Sequence, residues 1–193
     1  MKNKITELLN ESIEVKKKVV ESLTDDIEKA VSAVVECYKN DGKLILFGNG
    51  GSAADSQHIA GEMIHQFELK GRKALPAIAL TTDSSVMSAI GNDWGFDKVF
   101  ERQVEGLAKK EDVVIGFSTS GNSGNIVKAV EQAKKKGAFT IVFSGRDGGK
   151  LKKVADLSII IPSDSTARIQ ESHITVGHIL CKLVEEELFE EEK

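Results

Sequence analysis

The stretch over residues 43–62, KLILFGNGGSAADSQHIAGE, constrains the fold of this chain more than any other. Leu44, Ile45, Leu46 and Phe47 form a short, wholly apolar run, as expected of a strand buried on both faces of a parallel sheet. Gly48, Gly50 and Gly51 follow at once, and Ser52 opens a segment with helical spacing. A strand, a glycine turn and a helix N-terminus make an anion site. Glycine lets backbone N–H groups approach a ligand, and the helix dipole favours negative charge there. His58 and Glu62, four residues apart on that helix, share one face. An anion cradle with a His/Glu pair about two turns beyond it points to chemistry on a phosphorylated small molecule.

Three other uses of such glycines compete with this one. A Walker-type phosphate loop ends in Gly-Lys-Ser/Thr, and no lysine occurs between Lys43 and Lys70, so that use is excluded. Gly48, Gly50 and Ala53 match the dinucleotide fingerprint, but no acidic residue ends a second strand about 20 residues on. The next strand candidate, 77–80, comes later, with Asp83 too far along. The plainest alternative is a tight turn that binds nothing.

The remainder of the chain alternates. Ile5, Leu8, Leu9, Ser12, Val15, Val19 and Leu23 step at threes and fours, which predicts a long amphipathic helix. Thr24, Asp25 and Asp26 look like a new N-terminus, so a second helix is expected over 27–39, ended by Asn40-Asp41-Gly42. These two helices stand outside the strand–helix alternation, and a partner subunit is the expected cover for their apolar stripes. Helix is expected over 52–67, strand over 76–80, a short helix capped at Asp83, and a tight polar loop over 91–95. Helix over 96–107 leads to strand 113–117, helix 126–136, strand 139–143, a glycine-containing loop over 144–149 and strand 157–161. A last helix runs from Thr166 to about Phe189 and gives way to a solvated acidic tail. The expected fold is α/β, one domain over 1–193, with a doubly wound five-stranded parallel sheet and an N-terminal helical extension over 1–42. Ligands bind such sheets beyond the carboxyl ends of the strands.

Two further segments lie where chemistry is expected. The loop STSGNS over 118–123 offers three serines and a threonine just before a helix, enough hydroxyls and N–H groups to hold a phosphate without lysine. On the last helix, Gln170 and His178 interrupt a stripe of Ile169, Ile174, Val176, Leu180 and Leu183, which is costly unless they have partners. His58, Glu62, Gln170 and His178 offer nitrogen and oxygen ligands suited to zinc. Eight residues of helix rise about 12 Å, so Gln170 and His178 share one metal only by reaching inward from both sides, or with help from another subunit. With 26 Lys plus Arg against 30 Asp plus Glu, the net charge is −4, which argues against a nucleic-acid-binding face. No apolar run suffices to span a membrane and no signal peptide is evident. Cys37 and Cys181 read as buried thiols of a cytoplasmic protein.

GNGGS, the His58/Glu62 pair, STSGNS and the run ARIQESHITVGHIL from Ala167 together resemble the phosphoheptose isomerases of the sugar-isomerase (SIS) domain superfamily, over nearly the whole chain. The resemblance implies a flavodoxin-like SIS fold and a cytoplasmic homotetramer with 1–42 as oligomerisation helices. It implies aldose–ketose isomerisation of sedoheptulose 7-phosphate toward nucleotide-activated heptose for glycans such as lipopolysaccharide. By the same resemblance Glu62 is the general base and His178 the general acid, and His58, Glu62, Gln170 and His178 hold one Zn2+. Asn49, Gly50, Gly51, Ser52, Glu62, Asn92, Asp93, Ser118, Thr119, Ser120, Ser123 and Gln170 contact the sugar phosphate. Where the family often has a polar residue after GNGGS, this chain has Ala53 and Ala54. A non-catalytic relative, an adaptor that binds the bacterial replication initiator, shares the wording from Ser52 to His58 and around Leu180 to Leu183. It lacks the pair matching Glu62 and His178, which this chain has.

Overall fold

A computed structural model describes residues 1–189; the expected acidic tail at 190–193 lies outside the described residues. The elements run α1 (Lys2–Lys39), β1 (Leu44–Gly48), α2 (Gly51–Ile64), β2 (Ala77–Ala79), α3 (Ser84–Trp94), a 3-10 turn (Phe96–Lys98) and α4 (Val99–Leu107). They continue through β3 (Val113–Phe117), α5 (Gly124–Lys135), β4 (Phe139–Gly145), α6 (Leu151–Val154), β5 (Leu157–Ile161) and α7 (Thr166–Phe189). The strands pair in the order β2-β1-β3-β4-β5, all parallel. The chain therefore reverses its direction of winding between β1 and β3, which opens a crevice at their carboxyl ends.

Strand alternation divides the core in two. Leu44, Leu46, Ile115, Phe117, Ile141 and Phe143 face a layer formed by α1, α2 and α7. Ile45, Phe47, Val114 and Val142 face the opposite layer, where α4 and α5 supply Phe100, Val104, Ile126 and Val130. β1 and β3 are buried at every position, which is why they read as unbroken apolar runs.

Four expectations need correction. α1 is one helix of 38 residues, not two. Its buried stripe of Val15, Val19, Leu23, Ile27, Val31, Val34 and Val35 keeps phase straight through Thr24–Asp26, and Asp26 pairs with Lys29 at 2.8 Å instead of capping. That stripe is covered within the chain, by the core it shares with α7 and β5. The apolar residues left exposed on α1 are those of its first half, Ile5, Leu8, Leu9 and Ile13, with Val20. The polar segment 91–95 is helical as far as Trp94, because the Asp83 cap, accepting from Val86 N–H at 2.9 Å, starts a helix that ends only at Gly95 (φ +86°). The loop after β4 leads into the short helix α6, whose Leu151 fills the second core.

Candidate active site

The crevice between β1 and β3 is bounded by the two loops that the sequence singles out. Gly48 ends β1 so close to α2 that a Cβ there would meet the Ser52 backbone at 2.7 Å, and Gly50 caps α2 at φ +56°. Both positions therefore require glycine. Across the crevice, Ser118 Oγ lies 2.9 Å from Ser123 Oγ and 3.4 Å from Ser120 Oγ, a hydroxyl cluster at the N-terminus of α5. Asn49 and Asn125 clamp the two loops together through a reciprocal amide pair at 3.0 and 2.9 Å. The result is a wall of hydroxyls with two helix N-termini beside it, which suits a phosphate.

The chemistry-bearing side chains come from α2 and α7, which pack against each other. His58 Nε2 lies 2.8 Å from His178 Nε2, and 3.4 Å from Glu62 Oε1. The Phe67 ring packs against His178, centroids 5.6 Å apart. At the His58–His178 distance one ring donates its Nε2 hydrogen and the other accepts, so the pair is a ready path for one proton. Gln170 lies across the start of α2, its side chain 3.6 Å from where a Cβ on Gly51 would stand, and its Nε2 donates to Asp55 Oδ1 at 2.7 Å. His173, on the same helix, is the core histidine: it is fully buried, its Nε2 hydrogen is donated to the Ser144 carbonyl at 3.0 Å, and burial pushes its pKa down to about 4.

Of the residues expected at the site, Asn49, Gly50, Gly51, Ser52, Ser118, Thr119, Ser120 and Ser123 lie in the two facing loops, with Ser52 and Ser118 buried. His58, Glu62 and His178 converge within one chain. Gln170 reaches Asp55 instead of that cluster, so both interruptions of the α7 stripe have partners in their own chain. Asn92 and Asp93 stand apart, exposed in the last turn of α3, and among the described residues they hydrogen bond only with each other in their side chains, at 2.7 Å. Asp55, Asn125 and Phe67 escape the sequence reading. Asp55 shares a helix face with His58 and Glu62 at helical spacing, and that is the signal by which it could have been found.

The donor set fits zinc in kind: two imidazole nitrogens, a carboxylate and an amide oxygen. Two nitrogen ligands at about 2.05 Å from one tetrahedral zinc stand roughly 3.3 Å apart, so a chelate requires the two rings to part slightly. As they stand the rings bond to each other, and the described residues hold no ready-made group of three His, Cys, Asp or Glu around an ion position.

A buried clamp supports this wall. Glu185 on α7 accepts from the N–H groups of Phe67, Glu68 and Leu69 at 2.8, 2.7 and 2.8 Å, and from Arg72 Nε at 2.5 Å. Arg72 in turn donates to the carbonyls of Glu62 and Met63 at 2.7 and 2.8 Å. The clamp thus fixes both the end of α2 that carries Glu62 and the Phe67 that backs His178.

Residues 7–145 match the SIS domain family. The chain is 50% identical over 191 residues to a phosphoheptose isomerase of Sulfurimonas denitrificans, covering 98% of this chain and 97% of that one. It is 58% identical over 167 residues to a phosphoheptose isomerase of Citrifermentans bemidjiense, covering 86% of each. Among solved structures, a phosphoheptose isomerase from Neisseria gonorrhoeae superposes with a TM-score of 0.90 at 42% identity, covering 95% of this chain and 98% of the other.

Proposed function

The chain belongs to the SIS domain family and, within it, to the phosphoheptose isomerases, and on that premise we propose that it converts sedoheptulose 7-phosphate to D-glycero-D-manno-heptose 7-phosphate. The observation that carries the reading is the convergence of His58, Glu62 and His178 beside a serine-rich anion cradle at the β1/β3 crevice. The two loops take the phosphate through N–H groups and hydroxyls, which sets the sugar's carbonyl end toward α2 and α7. Glu62 takes the proton from C1 of the ketose and returns it to C2, by way of an enediol. His178 moves the accompanying proton between O2 and O1, and His58, hydrogen bonded to it, holds its ring in place. Phe67 behind His178 keeps water from one side of the ring.

His58, Glu62, His178 and Gln170 would hold a zinc ion, which when bound polarises the carbonyl. Elemental analysis of protein purified without chelator, with activity measured after chelation and zinc return, tests this. Unchanged activity and melting temperature after chelation would remove the metal from the account.

The active form in this proposal is a cytoplasmic homotetramer. Its support is the exposed row Ile5, Leu8, Leu9, Ile13 and Val20 on α1, and a groove of about 560 Å³ between α1 and α7 lined by Ile27, Val31, Ile179 and Leu183. No helix among the described residues is long and apolar enough to cross a membrane. The adaptor alternative is not favoured, because the acid/base pair it lacks is present and the relatives are isomerases. Incubation with sedoheptulose 7-phosphate and identification of the product tests the function. The expected product is the aldoheptose 7-phosphate, and an unchanged ketose with folded protein would refute it.

A further inference from the structure

Asp55 is a buried carboxylate for which the proposed reaction has no use. It is 4% exposed and sits on α2 one turn before His58. Its Oδ1 accepts from Gln170 Nε2 at 2.7 Å, while its Oδ2 is buried without a hydrogen-bond partner. Among the described residues, Gln170 is therefore the group that this carboxylate holds. An ionised carboxylate can only accept, whereas a glutamine amide donates from nitrogen and accepts at oxygen. The face of Gln170 turned to Asp55 must be its NH2, and its carbonyl oxygen is left for a ligand. Gln170 also borders Gly51, at the mouth of the glycine loop.

We propose that Asp55 is a positioning residue that fixes the amide of Gln170 with its oxygen outward, making Gln170 an oxygen donor to a divalent cation rather than a hydrogen-bond donor to the sugar. The inference rests on the functional reading above and adds to it the residue that sets the ligand's orientation. Partners that orient a metal ligand are typically worth about 10- to 100-fold in metal affinity.

A double-mutant cycle on the full chain tests it, with Zn2+ affinity read by competition against a chromophoric chelator. In Asp55→Asn the introduced amide can donate to Gln170, turning its oxygen inward, and zinc affinity is expected to fall about 10- to 100-fold. In the Gln170→Glu background the same change should cost little, because the introduced amide then donates to one carboxylate oxygen and the other stays outward. A loss of equal size in both backgrounds would report only the missing charge and overturn the proposal. A second readout needs neither metal nor sugar. The Gln170 side-chain NH2 resonance, identified by its absence in Gln170→Glu, should shift and exchange faster with solvent in Asp55→Asn. If the wild-type chain takes no zinc while this resonance responds, the metal reading fails and the positioning stands. A resonance that does not respond overturns the positioning itself.

Discussion

Replacing Glu185 by glutamine should destabilise the protein by about 3 kcal/mol at pH 7, and the loss should shrink in acid. The carboxylate is 2% exposed and paired with an Arg72 side chain that is 3% exposed, so solvent screens the pair little. Burial pushes the Glu185 carboxyl up. The Leu69 N–H, the Arg72 guanidinium and the N–H groups of Phe67 and Glu68 outweigh it and bring the pKa from the ordinary 4.5 to about 2. At about 1.4 kcal/mol per pH unit, that difference is worth about 3 kcal/mol. It agrees with the roughly 3–5 kcal/mol usual when one partner of a buried ion pair is removed. For a chain of this length the expected fall in Tm is about 6–12 °C, at fixed protein concentration. Because the folded pKa lies below the unfolded one, the stabilisation is complete above about pH 4.5 and is lost as pH falls toward 2. The gap between wild type and Glu185→Gln should therefore narrow by about 40% at pH 3.5. Differential scanning calorimetry across this range is the assay. A Tm within about 2 °C of wild type at pH 7, or a gap that does not narrow in acid, would refute the reasoning.

Three further outcomes are expected. His173→Phe removes a histidine that burial holds neutral down to about pH 4, so wild type should lose stability between pH 6.5 and 4 in a way the variant does not. The variant should be less stable by about 1–3 kcal/mol at pH 7, where the Ser144 carbonyl loses its donor, with the gap closing toward pH 4 in thermal melts. Leu9→Asp with Ile13→Asp should lower the oligomeric state in light scattering while leaving the secondary structure intact, since both side chains are exposed in the single chain. Chelation of zinc should lower both activity and Tm, and zinc return should restore them.

Much of the fold was legible because its signals are local. β3 matches its expected bounds, since a strand buried on both faces needs a continuous apolar run, and the half-buried edge strand β5 matches too, its apolar run stopped by Pro162. The glycine loop and STSGNS were legible for the same reason: a turn that approaches a ligand advertises itself in residue type. What the sequence hid depends on distant partners. Thr24–Asp26 carries the composition of a helix start, yet the phase of the stripe from Val19 to Ile27 overrides it. Glu185 reads as one more acid in a charged helix, and only the fold brings Arg72 and the turn at 67–69 to it. The bond from Gln170 to Asp55 and the facing Nε2 atoms of His58 and His178 likewise belong to the packing of α2 on α7, which no spacing within either helix reveals. The sequence also points to a neighbouring subunit for cover of the α1 stripe, most of which the chain covers by itself.

The central claim is that Glu62 carries the proton between C1 and C2. The most direct measurement is the steady-state rate of Glu62→Gln on sedoheptulose 7-phosphate, beside a melting curve and light scattering that establish an intact assembly. The account predicts a loss in kcat of at least about 10²–10⁴-fold, with the oligomeric state unchanged and Tm no lower than that of zinc-free wild type. Turnover within a few-fold of wild type by a folded Glu62→Gln protein would contradict it.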